Sequence, residues 1–434
     1  MRFVTNKVIG ILCFLLALTA VASAETLTLD QCIELALKNR ANIIRARGDA
    51  QLAGADKRRA FGQFLPSIDG GYSRLKGTEY DIAPALDSTG KNEQDKGPNK
   101  NWSLSGSMDI INFSTWFNYF GASASSAAAH LAAIDSEQEL IFSVKSAYYS
   151  YLRAVQNEET NSQAVERSKE QLKLVESRYE LGSAAYSDVL GQRVQYGNDR
   201  LEHLRAQNSV TTTKAVLSFT VGIDPTKEDE FSTMEETRVY EGTIEDAMQF
   251  GLDHEPGLLA AEKDLAASKH GVSSALADYI PRFSIFADYT DFTGNIAFPQ
   301  VQEFSSKQKT FGFRISYNIF DGFNRQRNVT QAKVFRNNAA AELNDARNLV
   351  MQQIKTAYLD IQNQKEAVSV AQESVSSAEE NMKIVQERYN LGAATILDLL
   401  QAQEDLKRAQ VSLINSKFDL NLAVARLENA MGKP

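Results

Sequence analysis

Cysteine and histidine are scarce in this sequence, and their scarcity excludes several kinds of site. Only two of the 434 residues are cysteine, Cys13 and Cys32, and only four are histidine. The histidines are His130, His203, His254 and His270. We expect Cys13 to leave with an N-terminal leader, so the mature chain keeps one cysteine and cannot form an internal disulfide. No histidine has the i,i+4 spacing or the carboxylate partner of a metal ligand, so we predict no metal site and no cofactor.

Catalytic motifs and a basic charge balance are missing as well. The sequence contains no glycine-rich phosphate loop, no nucleophile elbow and no paired-cysteine motif, so we predict no enzyme and no catalytic residue. The formal net charge of −9 disfavours nucleic acid as a partner. Beyond residue 24 no apolar run approaches the roughly 18 residues of a membrane-spanning helix. Any insertion into a membrane must therefore use strands.

The N-terminus carries the pattern of a secretory signal peptide. Arg2 and Lys7 precede an apolar run from Val8 to Ala20, and Ala22-Ser23-Ala24 follows as a small-residue cleavage site. The apolar run is too short to span a membrane. We therefore expect residues 1–24 to be removed and the mature chain to be exported.

The mature sequence repeats one unit twice. Thr28-Leu29-Asp30 returns as Thr243-Ile244-Glu245, and Arg178-Tyr179-Glu180-Leu181-Gly182 returns as Arg388-Tyr389-Asn390-Leu391-Gly392, about 210 to 215 residues later. Landmarks that keep their order over this distance indicate a duplicated structural unit. We predict a first repeat over residues 25–221, a linker over 222–242 and a second repeat over 243–434. Within the repeats we predict strand hairpins over 66–112 and 281–320 and long helical hairpins over 113–221 and 323–430.

Two very long helices follow from the apolar periodicity. Apolar and small residues recur at alternating steps of four and three from Leu140 to Tyr179 and from Val350 to Tyr389. This is the heptad pattern of coiled-coil helices. Uninterrupted by proline, helices from Phe113 to Tyr179 and from Phe323 to Tyr389 would each be on the order of 100 Å long.

Helix ends and helix starts carry their own signals. Gly182 and Gly392 can each take the left-handed C-terminal cap of a long helix, after which the chain turns back. Thr28-x-x-Gln31, Thr243-x-x-Asp246 and Thr395-x-x-Asp398 are capping-box patterns for helix starts. Each repeat therefore predicts a long helical hairpin with a glycine at its tip.

Four segments alternate between apolar and polar residues with the period of a β-strand. They run from Ser67 to Leu75, from Asn101 to Ile111, from Arg282 to Phe292 and from Phe311 to Ile319. Strands of about ten residues with one apolar and one polar face match an outer-membrane β-barrel. The predicted lipid-facing residues are Trp102, Leu104, Met108, Ile110, Phe311, Phe313, Ile315, Tyr317, Phe283, Ile285 and Tyr289. Because a bacterial barrel needs about eight strands, several copies must share one barrel, and two or three copies both satisfy this requirement.

The duplicated motifs resemble the TolC-like outer-membrane efflux protein family. The resemblance lies in Tyr179-x-x-Gly182 with Asp188-Val189-Leu190, in Tyr389-x-x-Gly392 with Asp398-Leu399-Leu400, and in Asn318-Ile319-Phe320-Asp321-Gly322 before the second long helix. It covers essentially the whole mature chain. It implies an α+β membrane protein in which a homotrimer builds a twelve-stranded β-barrel, four strands from each chain, and a periplasmic α-helical barrel of long coiled-coil helices.

The same resemblance implies the location and the partners. The protein would lie in the bacterial outer membrane, in contact with its lipid, and extend into the periplasm. Its hairpin tips would meet a periplasmic adaptor (membrane fusion) protein. This adaptor would link the duct to an inner-membrane transporter of the RND, ABC or MFS type.

Position by position, the resemblance assigns two groups of residues at the hairpin tips. The implied periplasmic aperture residues are Asp398, Gln401, Asp188 and Ser187. The implied adaptor-contacting residues are Tyr179, Gly182, Ser183, Ala184, Tyr389, Gly392, Ala393 and Ala394. Two roles stay open for Asp398: an acidic ring that favours cations in a narrow lumen, and the N-terminal cap of its own helix. Gln401 and Ala394 stand where family members often carry charge, which argues against a strongly charged lock.

We therefore predict an outer-membrane exit duct of a tripartite efflux or type I secretion system. The duct would conduct substrates passively from the inner-membrane pump to the outside. Two alternatives stay open from the sequence. One is a periplasmic structural or adaptor-like coiled-coil protein without a membrane barrel, and the other is a self-standing porin or a barrel-bound enzyme.

Overall fold

A computed structural model describes residues 26–76, 98–226, 230–233, 240–297 and 301–433 of the chain. The predicted signal peptide and part of the predicted linker lie outside these ranges. Within them the chain forms eight α-helices and four β-strands, which confirms the predicted combination of long helices and four strands. In chain order these are α1 (Leu29–Asn39), α2 (Ala41–Gly62), β1 (Ser67–Lys76), β2 (Pro98–Ile111), α3 (Phe113–Glu180), α4 (Tyr186–Val221), α5 (Ile244–His254), α6 (Pro256–Ala277), β3 (Arg282–Ala297), β4 (Val301–Ser316), α7 (Asn324–Asn390) and α8 (Ile396–Ala430).

The described residues divide into two compact units. The first unit contains the residues up to Arg45, Ile134–Glu255 and the residues from Leu349 onward. The second unit contains Ala46–Ala133 and Pro256–Asn348. Both units contain residues of both predicted repeats. The reason is that α3 of the first repeat and α7 of the second repeat each have residues in both units. The repeat boundaries stay a prediction.

Capping boxes set the starts of α1 and α5. The Thr28 side chain accepts a hydrogen bond from the Gln31 backbone N–H at 3.4 Å, and the Thr28 N–H donates to the Gln31 side chain at 2.9 Å. Thr243 and Asp246 form the same reciprocal pair at the start of α5. These bonds satisfy backbone donors that a helix start otherwise leaves unpaired. Both predicted capping boxes are confirmed.

The two longest helices are α3, with 68 residues, and α7, with 67 residues. Neither contains proline, so neither loses a backbone N–H from its hydrogen-bond ladder. α3 begins at Phe113 as predicted, whereas α7 begins one residue later than predicted. Gly322 and Phe323 both have a φ of 68°, a left-handed conformation that a right-handed helix cannot include.

The four strands form one antiparallel sheet in the second unit. Its order is β1-β2-β3-β4, so each strand pairs with its neighbour in the chain. The pairing of β3 with β4 ends at Arg282 opposite Ser316. Pro281 comes before this pair and has no N–H to donate, so the ladder stops there. Tyr317, which we predicted as a strand residue, lies one position beyond β4, and the prediction is corrected in this respect.

A β-bulge interrupts the predicted alternation near the end of β2. Asp109 pairs with Ser284, and the next pair joins Ile111 with Phe283. Ile110 is therefore the extra residue of the bulge. Ile111 takes the place opposite Phe283 that strict alternation predicts for Ile110, so the alternation breaks here, and the lipid-facing assignment of Ile110 stays a prediction.

The register gathers the apolar residues of the strands on one face of the sheet. Leu104 lies opposite Tyr289, and Ile285 lies between Met108 and Phe313 in the ladder. Most of the predicted lipid-facing side chains are exposed, whereas Met108 and Tyr289 are half-buried. The opposite face carries mainly serine, threonine and aspartate. An exposed apolar face of this extent marks an interaction surface, and its assignment to lipid stays a prediction.

The core of the first unit lies where α1 packs against α3, α4 and α8. Cys32, Val144, Leu217 and Phe418 are each at most 2 % exposed in this core. Burial raises the pKa of the Cys32 thiol to about 12. The thiol therefore stays protonated and unreactive at neutral pH.

Charged side chains link α3 to neighbouring helices in the first unit. Lys145 donates from Nζ to Glu428 Oε2 at 2.8 Å. His203 Nε2 lies 2.7 Å from Glu158 Oε1, although the two residues are 45 positions apart in sequence. The prediction that His203 has no carboxylate partner is therefore wrong, because the partner lies on another helix and local spacing does not reveal it.

Candidate functional site

The candidate site consists of the two hairpin tips, both in the first unit, and the first tip joins α3 to α4. Gly182 has a φ of 72°, and its N–H donates to the carbonyl of Tyr179 at 2.9 Å. The N–H of Ser183 donates to the carbonyl of Arg178 at 2.8 Å. This pair of bonds is the Schellman arrangement, which satisfies carbonyls at the end of the helix. The left-handed φ favours glycine because glycine has no Cβ.

The second tip, between α7 and α8, repeats this geometry. Gly392 has a φ of 75°, and its N–H donates to the carbonyl of Tyr389 at 3.1 Å. The N–H of Ala393 donates to the carbonyl of Arg388 at 2.8 Å. The predicted glycine cap is therefore confirmed at both tips.

Asp398 is held in a capping box at the start of α8. Its backbone N–H donates to the Thr395 hydroxyl at 3.2 Å, and its Oδ2 accepts from the Thr395 N–H at 2.9 Å and from the Thr395 hydroxyl at 2.8 Å. These hydrogen bonds from Thr395 hold the pKa of Asp398 below its ordinary value, and the charge of Arg388 adds to the effect. The capping role of Asp398 is confirmed. Asp398 is also exposed, so the ring role stays a prediction.

The first tip lacks this cap. Ala185 stands at the N-cap of α4, where its side chain makes no capping hydrogen bond. The half-buried Asp188 instead accepts from the exposed hydroxyl of Ser187 at 3.3 Å. The two copies of the tip therefore share their turn geometry and differ in how they hold their aspartate.

A small apolar cluster packs the two hairpins against each other near the tips. Its buried members are Val175, Val189, Tyr389 and Leu399, which come from α3, α4, α7 and α8. Tyr389 is 8 % exposed, whereas its first-copy equivalent Tyr179 is 45 % exposed. The duplicated tyrosines are thus not equivalent: Tyr389 belongs to the packing, and Tyr179 is available on the surface.

Arg178 connects the two tips directly. Its guanidinium lies 5.1 Å from the ring centroid of Tyr389, and its Nη2 donates to Asn390 Oδ1 at 3.1 Å. The equivalent Arg388 donates to the carbonyl of Ala393 in its own turn at 3.2 Å. The sequence-based list of site residues omitted Arg178. Its place at the head of the repeated motif was the available signal.

Charge and burial act together on the Tyr389 hydroxyl. Burial raises the pKa of Tyr389, the charge of Arg178 opposes this rise, and the charge of Asp188 adds to it. Arg178 therefore contacts Tyr389 directly, and Asp188, one of the predicted aperture residues, acts on Tyr389 through its charge.

The other predicted tip residues lie at the surface or at its edge. Gln401 is exposed, and its Nε2 donates to Asp405 Oδ1 at 2.9 Å. Ser183 and Ala393 are exposed, and Ala184 and Ala394 are half-buried. An exposed backbone turn with small side chains leaves room for close contact with another protein.

A buried ionic network lies farther from the tips, between α4 and α8. Lys407 Nζ lies 3.2 Å from Asp199 Oδ1 and 3.0 Å from Glu404 Oε2, and Gln195 donates to Asp199 at 3.2 Å. Burial alone lowers the pKa of Lys407, but its bond to Glu404 and the charge of Asp199 outweigh burial and raise the pKa overall. No local pattern in the sequence indicated this network, because Lys407 and Asp199 are 208 residues apart.

The described residues lack a metal-binding cluster and an apolar spanning helix. No group of three or more histidine, cysteine, aspartate or glutamate side chains is placed to hold a metal ion in that part of the chain. In the same residues, none of the helices combines the length and the apolar character that a membrane crossing requires.

Known proteins share both the sequence pattern and the fold. The sequence profile of the family described as Outer membrane efflux protein matches residues 32–222 and 249–433. Outer membrane protein TolC of Vibrio cholerae serotype O1 is 25% identical over 356 residues, 79% of this chain and 79% of the relative. Outer membrane efflux protein BepC of Brucella suis biovar 1 is 21% identical over 419 residues, 95% of this chain and 86% of the relative.

The solved structures agree with the sequence comparison. The crystal structure of the outer membrane protein VceC from Vibrio cholerae matches with a TM-score of 0.80 at 21% identity and covers 93% of this chain and 96% of that chain. The match shows a common fold, and the resemblance indicated by the duplicated motifs is confirmed. Because the family profile spans most of its length, this chain belongs to the outer membrane efflux protein family.

Proposed function

We propose that this outer-membrane protein is one subunit of a passive exit duct in a tripartite efflux or type I secretion system. Three copies would form the duct. A periplasmic adaptor protein would connect it to an inner-membrane transporter of the RND, ABC or MFS type, which supplies the energy. Family membership favours this function over an adaptor-like coiled coil or a self-standing porin. The observation that carries the proposal is an open four-stranded sheet with one apolar and one polar face.

The open edges of the sheet call for neighbouring copies. Among the described residues, β1 and β4 each pair with a single strand. Each therefore presents a row of backbone N–H and C=O groups that the sheet itself does not satisfy. In lipid, every such group costs several kcal/mol, which only closure of the sheet avoids. Pairing β4 of one copy with β1 of the next satisfies both edges, and three copies supply twelve strands.

The two faces of the sheet suit lipid outside and water inside. Phe283, Ile285 and Ala287 lie opposite apolar residues of β4 on one face. Farther along the same face, Tyr289 lies opposite Lys309, and Asp291 lies opposite Lys307. An apolar band that ends in an aromatic residue and then in charge matches the edge of a bilayer. The polar face would line a hydrated lumen.

The hairpin tips would form the periplasmic entrance. The exposed Asp398 and Gln401 and the first-copy residues Ser187 and Asp188 would border the aperture. The exposed turn residues around Gly182 and Gly392 would contact the adaptor. The duct would carry out no chemistry of its own, since conduction needs only a path and a partner that drives transport.

The oligomeric state and the conductance of the purified protein test this proposal. We expect detergent-solubilised protein from the outer-membrane fraction to contain three chains per particle by light scattering, and to conduct ions in planar bilayers. A mature chain that is soluble and monomeric without detergent would contradict the proposal.

A matched pair of variants on β4 tests the orientation of the sheet. Phe313→Lys places a charge on the apolar face, which costs about 2–4 kcal/mol near the middle of a bilayer. Gln308→Lys places the same charge on the polar face of the same strand. We expect Phe313→Lys to abolish outer-membrane assembly and Gln308→Lys to assemble and conduct. Equal assembly of the two variants would contradict the orientation.

A further inference from the structure

We propose that an apolar groove in the second unit binds one anionic phospholipid of the periplasm-facing leaflet, with an acyl chain among its aromatic rings and the phosphate at Arg58 and Arg59. The inference rests on the proposed function, because it needs the apolar face of the sheet to lie in the outer membrane. The groove has a volume of about 460 Å³. We call it the aromatic groove, and its main lining residues are Phe61, Phe64, Met108, Ile110, Trp116 and Tyr119.

Packed rings form the wall of the aromatic groove. The ring centroid of Phe64 lies 5.0 Å from that of Trp116 and 6.0 Å from that of Tyr119, both in edge-on geometry. The ring of Phe61 lies 6.1 Å from Tyr119. These contacts hold the rings in place, yet Phe61 is 53 % exposed and Trp116 is 52 % exposed. A preformed wall of exposed aromatic side chains is suited to an apolar ligand.

The aromatic groove continues the apolar face of the sheet. Met108 pairs with Ile285 in the ladder and also lines the groove, next to Ile110. An acyl chain that covers Met108 on the sheet therefore extends directly into the groove. Asp109 lines the groove as well, but its carboxylate accepts a hydrogen bond from Asn112 Nδ2 at 2.9 Å.

Two arginines, Arg58 and Arg59, stand shortly before Phe61, the aromatic residue of α2. Arg58 precedes Phe61 by three positions, which puts the two residues on the same face of the helix. Arg58 and Arg59 are both exposed. The ion pair of Arg59 with Asp56 is 4.0 Å long, and its side chains are 81 % and 71 % exposed. Such a pair contributes little, so it does not prevent the guanidinium group from binding phosphate.

The order of these groups matches the order of groups in a phospholipid. α2 leads toward β1, so the guanidinium groups come first, the aromatic rings second and the apolar sheet third. In one leaflet of a bilayer the phosphate, the interface and the acyl chains follow in the same order. Charge complementarity therefore favours a lipid with an anionic headgroup over a second protein chain as the occupant.

Two tryptophans make the inference directly measurable. The chain contains only Trp102, on the apolar face of the sheet, and Trp116, in the aromatic groove. Trp102→Phe leaves Trp116 as the sole reporter, and Trp116→Phe leaves Trp102. Each full-length variant is reconstituted into vesicles with brominated phosphatidylglycerol or brominated phosphatidylcholine, whose bromine atoms quench tryptophans in contact with the lipid. We expect phosphatidylglycerol to quench Trp116 about threefold more than phosphatidylcholine at equal mole fraction.

Charge variants in the Trp102→Phe background test the role of the arginines. Arg58→Gln combined with Arg59→Gln should abolish the preference for phosphatidylglycerol. The control, Lys173→Gln combined with Lys383→Gln, removes the same charge from two exposed positions in the first unit and should leave the preference unchanged. Equal quenching of Trp116 by both lipids would overturn the proposal, as would a preference that survives loss of both arginines.

The Trp102 reporter separates failure of this inference from failure of the proposed function. If Trp102 is quenched and Trp116 is not, protein covers the aromatic groove, and the lipid site is wrong although the membrane assignment holds. If neither tryptophan is quenched, the apolar face does not lie in lipid, and both proposals are wrong.

Discussion

The guanidinium of Arg178, at the end of α3, lies 5.1 Å from the ring centroid of Tyr389, at the end of α7. The two residues come from different copies of the repeat. With the hydrogen bond from Arg178 to Asn390, this contact ties the first hairpin tip to the second within one chain. A tie of this kind would hold the proposed entrance in one arrangement.

Loss of the contacts that Arg178 makes with Tyr389 and Asn390 should make the proposed entrance open more often. A cation–π contact at a partly exposed site contributes about 1 kcal/mol, so Arg178→Gln should raise the open fraction of the aperture about fivefold. Single-channel recording in planar bilayers measures this fraction. Arg388→Gln is the comparison variant, because the hydrogen bond from Arg388 to the carbonyl of Ala393 stays within its own turn and does not join the two tips. Equal open fractions in the two variants would show that the tie does not restrict the aperture.

Variants of Asp398 and Thr395 can separate the effect of the Asp398 charge from the effect of the capping box. Asp398→Ala removes both the carboxylate and the capping box, whereas Thr395→Ala breaks the box and keeps the carboxylate. If three copies of Asp398 border a narrow lumen, only Asp398→Ala should reduce the cation preference, as measured by reversal potentials in a salt gradient. Because the hydrogen bonds of Thr395 lower the pKa of Asp398, the preference should persist as the pH falls to the ordinary aspartate range and disappear below it. Unchanged selectivity in Asp398→Ala would leave the carboxylate with its capping role alone.

Asp135 should make the first unit more stable in mild acid. Burial, followed by the charges of Glu255 and Glu139, raises the pKa of Asp135 from 3.8 to about 6. Between these two pH values the folded chain holds a proton that the unfolded chain has lost, so stability rises as the pH falls through this range. Asp135→Asn should raise the melting temperature at pH 7 and weaken this pH dependence, as calorimetry at pH 5 and pH 7 can show. The exposed Glu166→Gln on the same helix should change neither, and an Asp135→Asn profile parallel to the unsubstituted one would refute the prediction.

Removal of one partner of the Lys407–Asp199 ion pair should lower the free energy of unfolding. Asp199 is 4 % exposed, so Asp199→Ala leaves a largely buried ammonium group with one carboxylate partner fewer. We expect a loss of about 3 kcal/mol in the free energy of unfolding. The double variant Asp199→Leu with Lys407→Met removes both charges and should lose less. Denaturant titration of all variants provides the comparison, and additive losses would contradict coupling between the two residues.

Local signals in the sequence were enough to predict the ends of elements. Thr28 and Gln31, only three residues apart, complete a capping box by themselves, and Gly392 sets its turn through its own φ. The alternation of β2 and β4 likewise follows from the strand period alone. The bulge at Ile110 was not predictable in this way, because it depends on how β2 pairs with a strand in the other repeat.

Contacts between residues far apart in the sequence could not be predicted from local patterns. Arg178 and Asn390 are 212 positions apart, and Lys407 and Asp199 are 208 positions apart. Periodicity predicts which helix face is apolar but not which polar side chains meet across helices. The duplication also suggested that Tyr179 and Tyr389 are equivalent, whereas one is exposed and the other is buried. Each copy packs against the other, so identical motifs meet different neighbours.

Cross-linking of the open sheet edges tests the shared duct most directly. Ser73→Cys on β1 is combined in turn with Ser306→Cys, Gln308→Cys or Thr310→Cys on β4, so that three registers between copies are sampled. The buried Cys32 thiol, whose pKa is about 12, should not interfere. If three copies close one barrel, oxidation of outer membranes followed by denaturing electrophoresis should give a ladder that ends at the trimer. A ladder that ends at the dimer, or no cross-link in any combination, would contradict the account.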